Sequence, residues 1–248
     1  MRHKKHLDER LERCKSVLLD REKEDFYSLN AQQRNFVADL KATFGNDNPV
    51  VLEIGCGKGN FAITCAKRFP QLNFVAVEKL SNVIVVACEQ AIASKTENLR
   101  FLNCSAENLL CFLPQHSISE IVLNFSCPFP KKTYANRRLT HAAFLEKYKL
   151  LLTENGFIRQ KTDDIDFFEF SLEQYRKSGF TVSDITYDLH SEQTENIVTE
   201  YESKFVQMGK KICACTARME RQCEIVAKIQ HRIKKIVHSV VFHVHRKF

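Results

Sequence analysis

A chain of 248 residues with 44% apolar content is long enough for one large α/β domain with a small appendage. No uncharged apolar run reaches the length of a membrane span, and Met1-Arg2-His3-Lys4-Lys5-His6 leads into further charge, so a cytoplasmic protein with no membrane partner is expected. The ten cysteines are scattered without a C-x-x-C pair and read as small buried hydrophobes; the lone C-x-C at Cys213 and Cys215 is too little for a metal site. The net charge of +7 is lopsided. Residues 204–248 hold 11 Lys+Arg against 2 Asp+Glu, whereas 1–203 hold 26 against 28. With the clusters Arg2/Lys4/Lys5 and Lys131/Lys132/Arg137/Arg138, this predicts a polyanionic partner.

In chain order, residues 1–28 are charged and mixed, with a short helical pattern over 7–19. Asn30 is placed to cap an amphipathic helix that turns Phe36, Leu40 and Phe44 to one face before Gly45 stops it. Then apolar runs alternate with helical patterns: strand 49–54, helix 58–68, strand 72–77, helix 81–94, strand 99–103, short helix 106–112, strand 118–124, helix 139–152, strand 156–161, helix 165–177 and strand 180–187. The alternation predicts an α/β fold, a mostly parallel sheet with helices on both faces. Further on, Thr199 and Glu202 have capping-box spacing for a helix reaching Met208, and Ile225, Ile229, Ile233 and Val237 mark a basic amphipathic helix. The division is a charged segment 1–28, a domain 29–217 and a basic extension 218–248.

Ligands of such folds sit beyond the carboxyl ends of the strands. There, Gly55, Gly57 and Gly59 follow a β-branched strand at alternate positions, letting the backbone turn tightly and approach a ligand, while the next helix aims its first amides at it. The spacing is not that of the dinucleotide fingerprint. Glu53 in the strand end suits a cation, the sulfonium and amino group of S-adenosylmethionine, better than a pyrophosphate. Glu78, at the tip of the next strand, is placed to accept hydrogen bonds from ribose hydroxyls. Pro128-Phe129-Pro130 forces a rigid aromatic wedge beside lysines and arginines, a platform for a nucleobase and its phosphates. Asp163 marks the tip of the fifth strand.

Leu52 to Phe61, Leu123 to Lys132, Arg137-Arg138-Leu139-Thr140-His141, Lys161-Thr162-Asp163 and Thr199 to Glu202, in this order, resemble the bacterial-type tRNA (guanine-N7-)-methyltransferases over roughly residues 30–217. The resemblance implies a class I methyltransferase, Rossmann-like in fold, that carries the methyl of S-adenosyl-L-methionine to N7 of a guanine in the tRNA variable region. It implies cofactor contacts at Glu53, Gly55, Gly57, Gly59, Glu78, Ser105 and Cys127, with Cys127 also at the reacting centre. Contacts to the tRNA are implied at Lys131, Asp163, Thr199, Glu200, Tyr201 and Glu202. No metal is expected, and a monomer or homodimer is expected. Two family residues are changed in the loop after the fourth strand, where the family's S-D-P-W-P-K-K reads Ser126-Cys127-Pro128-Phe129-Pro130-Lys131-Lys132. Ser105 replaces a third, an acid. A thiol accepts hydrogen bonds only weakly, so slowed transfer is expected; the alternative is a tRNA-binding protein of the same fold with little activity.

Overall fold

The computed structural model describes residues 5–19, 37–191 and 196–219. Helix α1 (Leu7–Arg13) buries Leu7 and Leu11, and a short 3-10 turn, Lys15–Val17, follows it. Of the helix expected from Asn30, residues 30–36 lie outside the described residues, and the remainder is α2 (Leu40–Phe44). Residues 37–39 are not helical, and the Asp39 side chain accepts from the Ala42 amide, capping a new start. Strand β1 (Val50–Ile54), helix α3 (Asn60–Arg68), β2 (Asn73–Val77), α4 (Ser81–Ala93) and β3 (Leu99–Leu102) complete the first half. A 3-10 segment, Ala106–Cys111, leads to β4 (Ile118–Asn124); α5 (Ala142–Leu151), β5 (Leu152–Thr162), α6 (Ile165–Lys177), β6 (Phe180–Thr186), α7 (Glu200–Gln207) and β7 (Cys213–Met219) follow.

Helix α5 starts three residues later than its periodicity predicts. Lys132–Arg137 coils as a 3-10 helix, Thr140 is buried against Ser171, and His141 caps α5 by accepting from the Ala143 amide. Strand β5 in turn starts at Leu152, four residues earlier than expected, because Leu152 already pairs with Ile118.

The sheet order is β3-β2-β1-β4-β5-β7-β6. All pairings from β3 to β5 are parallel, and β1 and β2 are buried at every position, Glu53 and Asn73 included, as strands covered on both faces must be. Val50, Leu52 and Ile54 face a core shared with α5 and α6, while Val51 faces one shared with α1, α3 and α4. The alternating, strand-like segment at Cys213 and Cys215 forms β7, but the sequence did not foretell that it wedges antiparallel between β5 and β6. It carries Cys213 and Cys215, both buried. Of the described cysteines seven are buried, Cys111 is intermediate and Cys127 is exposed.

Leu18 and Leu19 run along the outer edge of β3, Leu19 donating to the Phe101 carbonyl at 2.7 Å, and Arg10 grips Glu89 of α4 through two hydrogen bonds of 2.7 and 2.6 Å. The strand order reverses between β1 and β4, so the crevice at their carboxyl ends is the place where an open α/β sheet offers a ligand site. The expected basic helix lies outside the described residues.

Candidate active site

At the end of β1 the chain turns through Gly55, Gly57 and Gly59 with φ of +86°, +57° and +79°, the left-handed region that a Cβ disfavours. The Gly55 and Cys56 amides both donate to the Val77 carbonyl, at 2.8 and 2.9 Å, tying the turn to the tip of β2. A Cβ at Gly55 or Gly57 would meet nothing within 4 Å, so these two leave open space; at Gly59 it would stand 2.7 Å from Ala87 Cβ. Gly59 therefore lets α3 pack on α4 and does not line the cavity, a correction to its reading as a ligand contact.

That cavity, about 1040 Å³, gathers residues from seven separated stretches. Glu53, Gly55, Gly57, Glu78, Ser105 and Cys127 all border it. Glu53 is only 5% exposed. Its Oε1 accepts from Asn124 Nδ2 at 3.3 Å, but Oε2 is buried without a hydrogen-bond partner among the described residues. Burial pushes this carboxyl up to about 7, opposed by Asn124, the Ala62 amide and the Lys161 charge. A buried acid with a bare oxygen beside an open cavity fits a cationic ligand group. The Glu78 carboxylate is held in place by the amides of Gly57 at 3.3 Å and Leu80 at 2.9 Å, while its backbone carbonyl accepts from Asn103 Nδ2. Ser105 stands at the start of the 3-10 segment after β3.

The opposite wall comes from the loop after β4 and from α7. Phe125 and Phe129 hold positive φ, 50° and 41°, around the exposed Cys127. Phe125 stacks on Phe205 with ring centres 5.6 Å apart, and Phe205 contacts Tyr201 at 6.2 Å. Thr199, Glu200, Tyr201 and Lys204 line the cavity; Tyr201 is 60% exposed. Glu200 accepts from Asn60 Nδ2 at 2.9 Å, latching α7 to the first turn of α3.

Glu202 is different. It has no exposed surface, and its carboxylate takes Lys161 Nζ at 3.0 Å, His190 Nε2 at 2.9 Å, the Thr199 amide at 3.3 Å and Asn196 Nδ2. The Thr199 hydroxyl accepts from the Glu202 amide in return, the capping box that the spacing predicts. Burial pushes the Lys161 ammonium down, with Glu202 opposing. Glu202 therefore has no face left for an RNA, correcting its reading as a contact. Asp163 pairs with Lys210, and neither Asp163 nor the exposed Lys131 borders the cavity. Sequence reasoning missed Asn124, which borders the cavity and acts through Glu53, 71 residues away, and missed Asn196 and His190, which lie behind the wall and hold Glu202.

The "Putative methyltransferase" family model matches residues 47–215. A tRNA (guanine-N(7)-)-methyltransferase of Brevibacillus brevis is 42% identical over 192 residues, 77% of this chain and 88% of the relative. One of Bacillus cytotoxicus is 38% identical over 207 residues, covering 83% and 95%. The chain belongs to the tRNA (guanine-N7-)-methyltransferase family. Among solved structures the 16S rRNA methyltransferase KamB aligns with a TM-score of 0.57 at 17% identity, over 74% of this chain and 94% of that one, a likeness of fold. In this chain Glu53 and Glu78 stand at the tips of β1 and β2, on the cavity beside the point where the strand order reverses.

Proposed function

We propose that this chain transfers the methyl group of S-adenosyl-L-methionine to N7 of a guanine in the tRNA variable loop. The observation that carries the reading is one continuous cavity, with an unpartnered acid and a glycine turn on one side and an aromatic, cationic wall on the other. The bound cofactor supplies a methyl group on a positively charged sulfur, which departs as a neutral thioether.

Glu53 would hold the cofactor's amino group, Gly55 and Gly57 would leave room for its methionine part, and Glu78 would accept from its ribose hydroxyls. Ser105, on the same cavity, would face the adenine. N7 of guanine carries an in-plane lone pair and no proton, so the protein has to align the base and exclude water, with no need of a general base. Cys127 and Phe129 border the side from which the base enters. Arg137 and Lys204 at the rim, with Lys131 beyond it, meet the RNA backbone, and Tyr201 offers an exposed ring for stacking. Among the described residues no helix is long and apolar enough to cross a membrane. The enzyme works in the cytosol, where its tRNA is.

Incubation with bulk tRNA and methyl-labelled cofactor, followed by mapping of 7-methylguanosine, tests the reading. Label confined to a variable-loop guanine is expected; label in another base, or none despite cofactor binding, overturns it.

A further inference from the structure

Two adjacent arginines follow the Pro128-Phe129-Pro130 segment, and the fold sends them to different places. Arg137 is exposed, borders the cavity and lies 4.9 Å from the Tyr134 ring centre, with no carboxylate pairing with it among the described residues. Arg138 turns inward. Its Nη2 donates to the Phe129 carbonyl at 3.1 Å, its guanidinium carbon lies 4.3 Å from the Phe170 ring centre on α6, and its Nε is buried.

We propose that Arg138 is a positioning residue: it pins the loop of residues 125–131 to α6, so that Cys127 and Phe129 stay on the wall of the methyl-transfer cavity, and it binds no phosphate of the RNA. This deepens the function proposed above and rests on it. The loop needs such a pin. Pro128 and Pro130 have no N–H with which to tie the backbone down, and Phe125 and Phe129 sit at positive φ, a conformation that residues with a Cβ keep only where the surroundings impose it. The guanidinium meets the need because its plane stacks on an aromatic face while its fork aims a donor sideways. A lysine has neither plane nor fork. Nε is buried without a hydrogen-bond partner among the described residues, so the Phe129 carbonyl and the Phe170 ring are the contacts that hold the guanidinium.

The consequence is a division of labour that charge counting cannot see. A wall displaced by about 1 Å costs on the order of 100-fold in rate, even where binding persists. In the full-length chain, Arg138→Ala and Arg138→Lys are each expected to lower kcat by roughly 10 to 100-fold, with the cofactor Kd, the tRNA Kd and its salt dependence within about twofold of the parent. Hydrogen exchange at the amides of Cys127, Phe129 and Lys131 should speed up in both variants. Arg137→Ala should instead weaken tRNA binding and reduce the salt slope by about one. Phe170→Leu removes the stack without touching a charge and should reproduce the kcat loss, which keeps the test open if Arg138→Ala fails to fold. The proposal falls if Arg138→Ala flattens the salt dependence as Arg137→Ala does while kcat holds, or if Phe170→Leu turns over normally. Absence of methyl transfer in the unaltered protein would instead overturn the functional reading.

Discussion

Two glutamates, Glu53 at the tip of β1 and Glu202 in the first turn of α7, are both buried beside the same crevice, yet their surroundings differ in kind. Glu202 has four donors, from Lys161, His190, Asn196 and Thr199, and nothing left to offer. Glu53 has one long hydrogen bond from Asn124, the Ala62 amide facing it, and an Oε2 buried without a hydrogen-bond partner among the described residues. A saturated buried charge holds elements together; an unsaturated one waits for a ligand and destabilises the fold until it arrives. The β1 side of the cavity is thus built to receive, and the α7 side to hold a wall in place.

The largest effect should come from breaking the saturated acid. Glu202→Ala removes the carboxylate that balances the largely buried Lys161 ammonium, leaving it only the neutral Asn196 Oδ1 and Ile197 carbonyl oxygens, and denaturant unfolding should show a loss of about 3–5 kcal/mol. The paired change Lys161→Met with Glu202→Leu should recover most of it. A stable Glu202→Ala protein that merely binds tRNA less well would return Glu202 to the RNA interface.

Next comes the unsaturated acid, with the opposite signature. Glu53→Gln should weaken cofactor binding by about 10 to 150-fold, the worth of one charge-assisted hydrogen bond, without loss of stability at pH 8. The pH dependence follows from its carboxyl, raised from 4.5 to about 7 by burial. The folded protein keeps a proton that the unfolded chain has lost. This contribution to stability is complete below pH 4.5 and disappears as pH rises through 7, by up to about 3 kcal/mol. Cofactor affinity should climb over the same rise as the ionised form takes over. Calorimetric titrations at pH 6 and 8 should differ for the parent and agree for Glu53→Gln; parallel curves for both proteins would mean that Glu53 does not bind the cofactor's cation.

A smaller effect separates the glycines. Both changes strain a positive-φ backbone, but Gly59→Ala also drives a methyl into Ala87 and should cost about 1–3 kcal/mol more stability than Gly57→Ala, which should add a loss of cofactor binding. Equal melting shifts for the two would contradict the division.

The smallest expected effect is a gain. Cys127→Asp puts a strong acceptor where the family resemblance places the reacting centre, and should raise methyl transfer about tenfold with the cofactor Kd little changed. No gain would show that position 127 does not limit the rate.

Much of this protein was written locally. The parallel half of the sheet, the glycine turn with its positive φ, the acids at two strand tips and the Thr199–Glu202 capping box each depend on residues within a few positions of one another, so periodicity and turn chemistry reach them. Whether a buried polar group is satisfied is a different matter, because it depends on what distant segments bring to it. Only the assembled fold decided that Gly59 faces Ala87 and not a ligand, that Glu202 is enclosed, that β7 enters between β5 and β6, and that of two neighbouring arginines one looks into the cavity while the other lies on Phe170.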